Sequence, residues 1–148
     1  MPVNALSVIT YNLHKGFGGI HRRFVLPKMR TALADAGADV VFLQEVLGEH
    51  TRHAVRNPAW PKAAQFEFIA GSLWPHMAYG KNAIYDAGHH GNAILSRYPL
   101  IHWENIVASP YSLPASRSLL HGRIRLPDTS RILHVVCVHF GFFGRERR

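Results

Sequence analysis

Three residues in this sequence have chemically useful side chains and follow apolar runs of strand length: Asn12, Glu45 and His139. The runs span residues 6–9, 39–43 and 132–138. In a parallel pair joined by a helical crossover, both strand ends point the same way, and open α/β sheets bind ligands at that edge. Mg²⁺ takes oxygen ligands, typically one or two carboxylates, with water and substrate phosphate filling the other positions. The pattern therefore predicts that the Asn12 amide and the Glu45 carboxylate share one divalent cation.

Each of these residues also has a simpler explanation. Glu45 suits a helix start or a loop, and Asn12 suits a turn cap. The chain contains 11 histidines, so a single histidine at a strand end, such as His139, is commonly a solvated or satisfied residue. Residue type and spacing alone leave both interpretations open.

The sequence around these residues reads as a strand–helix–strand unit followed by several short strands. The first run is apolar almost throughout, as in a strand buried on both faces. Val25, Met29 and Leu33 then recur at helical spacing, and Gly37 provides a stop. The predicted elements are a strand over 6–12, a flexible turn over 15–19, a helix over 24–37, a strand over 39–44, a surface loop over 46–62, a helix over 63–74, and strands over 77–79, 91–96, 100–107, 119–126 and 131–140, the last two forming a hairpin.

Length and charge narrow the class of protein. A chain of 148 residues has the length of one domain and can bury about 68 to 70% of its unfolded surface. Its 17 Lys and Arg residues against 9 Asp and Glu give a net charge of +8, and 13 of the cations are Arg. Such a surface attracts nucleic acid, phosphorylated metabolites or anionic membranes. A general arginine bias over a solvated surface explains the charge equally well.

The single cysteine and the amino terminus indicate a compartment. Cys137 lies within an apolar run, which is typical of a buried, inert thiol in a reducing environment. The amino terminus lacks a secretory leader pattern, and no apolar run approaches the length of a membrane span. We therefore expect a soluble, cytoplasmic protein.

Four short strings together resemble the endonuclease/exonuclease/phosphatase superfamily, which contains deoxyribonuclease I, abasic-site endonucleases, inositol polyphosphate phosphatases and neutral sphingomyelinases. The strings are Thr-Tyr-Asn at 10–12, Leu-Gln-Glu at 43–45, Gly-Asn-Ala-Ile-Leu-Ser-Arg-Tyr-Pro at 91–99 and Val-His-Phe at 138–140. The sequence is similar in particular to a bacterial branch of uncharacterised hydrolases, through residues 12–17, 22–24, 60–61 and 88–92. The resemblance runs in order from about Val8 to Gly141.

The resemblance implies an α/β (α+β) fold, the DNase I-like four-layer αββα sandwich of mixed β-sheets covered by helices. Residues 1–148 match the amino-terminal part of one such domain, and the match stops after the strand ending at His139. One inner sheet face would then lie exposed, and we expect poor solubility or self-association through it.

The resemblance also implies a reaction, the hydrolysis of a phosphoester, most simply a phosphodiester, by water. Asn12 and Glu45 match the family's ligands for Mg²⁺ or Mn²⁺, and His139 matches a histidine that contacts the scissile phosphate. The implied catalytic set is His139, Asn12 and Glu45, and the implied phosphate-binding set is Arg117, Asn92 and His139. The substrate is left open between nucleic acid, a phospholipid head group and a sugar phosphate.

Two strings that the family uses for catalysis do not occur in this sequence. Relatives supply their general base from a Ser-Asp-His string and orient water and phosphate with a Gly-Asp-x-Asn string, both located after the strand that ends at His139. We therefore expect very low activity from these 148 residues alone. A non-catalytic basic fragment that binds nucleic acid or anionic lipid is the alternative function.

Overall fold

The computed structural model describes residues 5–20, 22–107, 118–127 and 130–140. The strands are β1 (Val8–Asn12), β2 (Phe17–Gly18), β3 (Arg23–Phe24), β4 (Val40–His50), β5 (His76–Tyr85), β6 (Gly88–Ser96), β7 (Leu100–Val107), β8 (Ser118–Arg125) and β9 (Ile132–Val138). The helices are α1 (Leu26–Ala36), α2 (Thr51–Arg56) and α3 (Gln65–Ala70), and a 3₁₀ turn covers His14–Gly16. None of these helices has the length and apolar character needed to cross a membrane.

A four-stranded mixed sheet in the order β1-β4-β6-β5 forms the centre of the fold. β1 and β4 run parallel, with Asn12 opposite Gln44, because α1 carries the chain back across the sheet. α1 ends at Gly37, whose φ of 63° is the left-handed conformation that glycine adopts readily. The other two strand pairs are antiparallel. The predicted strand–helix–strand unit is therefore confirmed.

Helices α1 and α3 cover one face of this sheet and enclose the first core. Its largest fully buried members are Trp74, Leu13, Leu26, Leu43, Ile69 and Leu95. Each such side chain contributes about 1.5 to 3 kcal/mol on burial. Trp74 Nε1 also donates a hydrogen bond to the Ala38 carbonyl at 2.8 Å, so its polar atom is satisfied. α3 ends at Ala70, short of the predicted helix over 63–74, and Leu73 beyond it is 41% exposed.

An antiparallel sheet of β7, β8 and β9 packs on the opposite face of the first sheet. Its β8–β9 pairing confirms the predicted hairpin. The second core lies between the two sheets and contains Val40, Ala78, Ile94, Leu120, Ile124, Val135 and Cys137. The inner faces cover each other over β4, β6 and β8, but Val8, which pairs with Val40 on the inner side of β1, is 50% exposed. Part of the inner sheet face is therefore exposed at β1, and self-association through it stays a prediction. The apolar side chains left uncovered include Val136, on the outer face of the second sheet and 49% exposed.

Two segments form strands or helix where their composition predicts a loop or a turn. β4 continues to His50 and is followed by α2, where the sequence predicts a loop over 46–62. The extension forms because β6 begins at Gly88, earlier than predicted, and pairs with it. The predicted turn over 15–19 contains β2, which pairs with β3. Pairing with another strand stabilises both segments as strands, although their polar composition does not predict it.

Asp39, just before β4, contacts Ser7, just before β1, and Arg97, just after β6, at the end of the sheet opposite the candidate site. Its Oδ2 accepts hydrogen bonds from the Ser7 backbone nitrogen at 2.9 Å and from Ser7 Oγ at 2.7 Å. Arg97 Nη1 lies 3.8 Å from Oδ1. Burial raises the pKa of Asp39, but the Ser7 hydrogen bonds and the Arg97 charge outweigh it and hold that pKa below the ordinary 3.8. The ionised carboxylate therefore stabilises the folded state.

We expect Asp39→Asn to lower the free energy of unfolding by about 1 to 2 kcal/mol near neutral pH, since charge-assisted hydrogen bonds are lost. A depressed carboxyl pKa stabilises the protein above the unfolded-state pKa, and this contribution disappears as the pH falls through the folded-state value. The difference between variant and parent should therefore shrink below pH 3.8. Urea unfolding at neutral and acidic pH measures it. Asp35→Asn, on the exposed side of α1, is the control, and an Asp39→Asn loss independent of pH contradicts this account.

Candidate metal and phosphate site

The structure brings Asn12, Glu45 and His139 together at one end of the two sheets. Asn12 Nδ2 donates a hydrogen bond to Glu45 Oε1 at 3.2 Å. His139 Nε2 lies 3.6 Å from the same oxygen. Asn12 ends β1, Glu45 lies within β4, and His139 directly follows β9. Three segments distant in sequence therefore meet at a single carboxylate.

A bulge in β4 points the Glu45 side chain into this site. The register with β6 shifts between Leu43, which faces Ala93, and Val46, which faces Gly91. Glu45 has a φ of 52°, an unusual conformation for a residue with a side chain. Leu43 and Val46 both belong to the helix-side core, so the two intervening residues are released from the alternation of the strand. Such backbone strain costs on the order of 1 to 3 kcal/mol and is typical of functional sites.

The surroundings of Glu45 keep its carboxyl group ionised. Burial alone raises the pKa of Glu45, but the hydrogen bond from Asn12 and the nearby His139, His14 and Lys15 together hold that pKa below its usual value. The Glu45 side chain is 23% exposed. A partly buried, ionised carboxylate with open access is suited to bind a cation.

Gln44 anchors the bulge from the side opposite Glu45. Gln44 is 8% exposed, and its Nε2 donates hydrogen bonds to Thr10 Oγ1 at 3.1 Å and to Cys137 Sγ at 3.5 Å. It thus links β1, β4 and β9, the three strands that carry the site. Cys137 is 1% exposed and burial raises its pKa to about 11, which confirms that the thiol is buried, as predicted.

Asn92 lies in β6 directly opposite the bulge, between the residues that pair with Leu43 and Val46. It is completely buried, and within the described residues neither its Oδ1 nor its Nδ2 has a hydrogen-bond partner. An unpaired buried amide costs about 1 to 3 kcal/mol. The neighbouring strand offers a contrast, since the buried Asn82 accepts a hydrogen bond from Ser118 Oγ. Asn92 therefore has a cost in stability that packing does not explain.

The remaining predicted phosphate ligand, Arg117, lies outside the described residues.

One further contact was not predicted: His14 Nδ1 lies 3.6 Å from Glu45 Oε2. The His14 backbone nitrogen also donates to Asn12 Oδ1 at 3.0 Å, which fixes the amide. The sequence offers one indication that His14 belongs to the site, because a polar His-Lys-Gly string closely follows the apolar strand.

The donor atoms fit the chemistry of Mg²⁺ or Mn²⁺. Glu45 supplies an anionic oxygen, and Asn12 Oδ1 retains a second lone pair beside its hydrogen bond. In the part of the chain that the structure describes, no group of three or more His, Cys, Asp or Glu side chains could hold a metal ion. Within that part, Asn12 and Glu45 offer two ligands, which suits a cation that keeps water and substrate oxygens in its shell.

Comparisons with known proteins agree on one family. The model of the Endonuclease/Exonuclease/phosphatase family matches residues 9–138. Uncharacterized protein YbhP of Escherichia coli (strain K12) is 46% identical over 144 residues, which are 97% of this chain and 56% of YbhP. The chain thus spans little more than half the length of that relative.

Solved structures share the fold. An endonuclease/exonuclease/phosphatase from Beutenbergia cavernae superposes with a TM-score of 0.72 at 19% identity, over 94% of this chain and 39% of that protein. The D. rerio TDP2 structure complexed with a single strand DNA product gives 0.60 at 19% identity, over 95% and 48%. The human Nocturnin catalytic domain with a bound sulfate anion gives 0.59 at 14% identity, over 99% and 55%. These similarities confirm the predicted DNase I-like fold.

We expect Asn92→Leu to leave the free energy of unfolding unchanged or raised, because it removes a buried amide that has no partner. Asn82→Leu should lower it by about 1 to 3 kcal/mol, because Ser118 loses its acceptor. Urea unfolding of both variants, read by tryptophan fluorescence, provides the comparison. A larger loss for Asn92→Leu than for Asn82→Leu would mean that Asn92 serves mainly to stabilise the sheet.

Proposed function

The chain belongs to the endonuclease/exonuclease/phosphatase family, and from that premise we propose that it carries the metal-binding side of a phosphodiesterase site. The reaction is metal-dependent hydrolysis of a phosphoester by attack of water on phosphorus. The observation that carries this proposal is the meeting of Asn12 and His139 at the ionised Glu45 carboxylate. A carboxylate, an amide and an imidazole at one mouth of a sheet suit a cation and a phosphate together.

Each of the three residues has its own role in the proposed reaction. Glu45 and Asn12 hold Mg²⁺ or Mn²⁺, and His139 donates a hydrogen bond to an oxygen of the scissile phosphate. The bound cation supplies charge neutralisation at the phosphate and at the leaving oxygen. Asn92 and Arg117 are further phosphate ligands in this proposal on the family resemblance alone, since the Asn92 side chain is completely buried.

The extent of the domain is also a proposal. We place residues 1–148 in the amino-terminal part of one domain of this family, supported by their match to 56% of YbhP. Because the Ser-Asp-His and Gly-Asp-x-Asn strings do not occur in these residues, metal and phosphate binding should persist while turnover stays low. The buried thiol of Cys137 supports a reducing, cytoplasmic location.

We expect the chain to bind Mn²⁺ and Glu45→Gln to weaken that binding by about tenfold or more, since the anionic ligand is lost. The Mn²⁺ electron paramagnetic resonance signal, which falls on binding, measures the free ion during a titration. Glu49→Gln removes an exposed carboxylate from the same strand and is the matched control. Equal Mn²⁺ affinity in both variants would rule out Glu45 as the ligand.

We expect little or no Mg²⁺-dependent hydrolysis of bis-p-nitrophenyl phosphate by the 148-residue chain, because a general base and a water-orienting group contribute large factors to the rate. Release of p-nitrophenolate, followed by absorbance with and without EDTA, measures it. Turnover at rates typical of enzymes, lost in Glu45→Ala, would show that these residues already contain a complete catalytic site.

A further inference from the structure

We propose that the cavity beside Glu45 binds a second phosphate group of the substrate, next to the phosphate held at the metal site. The loop cavity, as we call it, has a volume of about 310 Å³ and is lined by His14, Lys15, Phe17, Arg22 and Glu45, together with two glycines. Its volume is several times the ~30 Å³ that one water occupies in the liquid, so it has room for a hydrated anion. This inference rests on the proposed function, because Glu45 belongs to both sites.

Residues with positive φ other than glycine cluster around the loop cavity. Four residues other than glycine have positive φ in the described part of the chain: His14 at 46°, Lys15 at 58°, Arg22 at 46° and Glu45 at 52°. All four line this one cavity. Strained backbone conformations persist where surrounding structure enforces them, and they cluster at ligand-binding loops. The coincidence points to a binding role for this loop rather than to a simple connection.

A buried side chain holds the loop in place from below. Gln65, at the start of α3, is 1% exposed. Its Nε2 donates a hydrogen bond to the Lys15 carbonyl at 2.9 Å, and its Oε1 accepts one from the Leu47 backbone nitrogen at 3.0 Å. A Cβ atom on Gly16 would lie 2.9 Å from Gln65 Nε2, so only glycine fits that approach. Gln65 thus holds the backbone at Lys15 and Gly16 in place without a ligand, which reduces the entropy cost of binding there.

The charges of the loop cavity favour an anion. Lys15 and Arg22 both line it, and among the described residues neither side chain makes an ion pair or hydrogen bond. Their field extends beyond the cavity: burial lowers the pKa of His53, and the adjacent His50, Arg56, Lys15 and Arg22 lower it further. The two cations outnumber the single Glu45 carboxylate that lines the same cavity, and a net positive cavity attracts phosphate.

One wall of the loop cavity is aromatic. The Phe17 ring lies 5.5 Å from Phe24 and 5.0 Å from His53, measured between ring centroids. Trp60 stacks on Phe24 and on His53 at 5.0 and 5.4 Å, which holds this wall rigid. Phe17 thus adds a supported apolar surface to a cavity that is otherwise lined by polar residues and glycine.

These features specify a class of substrate, a phosphoester that carries a second phosphate a short distance away. A nucleic-acid strand offers the second group in its next backbone phosphate, and a bisphosphorylated sugar offers it on another carbon of the same sugar. A phospholipid head group with a single phosphate would leave Lys15 and Arg22 without a ligand. The shared chemistry is therefore two phosphates, one at Glu45 and one in the loop cavity.

Binding of thymidine 3′,5′-bisphosphate and of thymidine 5′-monophosphate, measured by isothermal titration calorimetry at low salt, tests the proposal. The informative variant is Lys15→Asn with Arg22→Asn, because asparagine tolerates positive φ and keeps the loop backbone. We expect it to weaken bisphosphate binding by about tenfold or more and to change monophosphate binding little. Lys81→Gln with Arg125→Gln removes the same charge from exposed positions outside the cavity and should leave both affinities close to the parent values.

The outcomes separate this proposal from the metal site. Bisphosphate binding equal in the two double variants, or an equal loss of mono- and bisphosphate binding in the loop variant, overturns the second phosphate site. These titrations contain no metal, so absence of Mn²⁺ binding by the parent chain together with an intact bisphosphate preference would refute the metal site alone. Competition by oligothymidylate and by fructose 1,6-bisphosphate then identifies the source of the second phosphate, and displacement of thymidine bisphosphate by either one supports the proposal.

Discussion

The Gln44–Glu45 bulge in β4 is the constraint on which the rest of this structure depends. β4 is a central strand, paired with β1 on one side and β6 on the other, so its side chains would ordinarily alternate between two packed cores. A carboxylate in either core would require a buried counter-charge. The bulge inserts an extra residue, keeps Leu43 and Val46 in the helix-side core, and releases Glu45 to the mouth of the sheet. The strain at its positive φ is the cost of that placement.

The two neighbours of the bulge show how the strain is supported. Gln44 points toward the second sheet and bonds to Thr10 and Cys137, so β9 is held at a fixed distance and His139 reaches Glu45. Asn92 faces the bulge from β6 with both polar atoms unpaired in the described residues. Gln44 on one side of the bulge thus has two hydrogen bonds, and Asn92 on the other side has none among the described residues. Buried polar groups usually have partners, so the Asn92 amide lowers stability at this point of the sheet.

Sequence patterns predicted the parts of this fold that depend on local periodicity. The unit from β1 through α1 to β4 follows from an apolar run, helical spacing and Gly37, and with it the proximity of Asn12 and Glu45. The extension of β4 to His50 was missed because polar residues there hide a strand that exists only through its pairing with β6. Three other features depend on contacts between segments far apart in sequence. They are the positive φ of Glu45, the unpaired amide of Asn92 and the hydrogen bond from Gln65 to the Lys15 carbonyl. No local pattern encodes them.

Electrostatic magnitudes support the proposal that a divalent cation binds at Glu45. A phosphate oxygen about 4 Å from the Glu45 carboxylate experiences a repulsion of roughly 4 kcal/mol at an effective dielectric constant near 20. One charge-assisted hydrogen bond from His139 returns about 1.5 to 3 kcal/mol, which does not offset it. Lys15 and Arg22 attract the anion from the cavity side, but alone they would hold it away from the carboxylate and His139. A cation held by the Glu45 carboxylate would offset this repulsion, which supports the proposal that phosphate and metal bind here together.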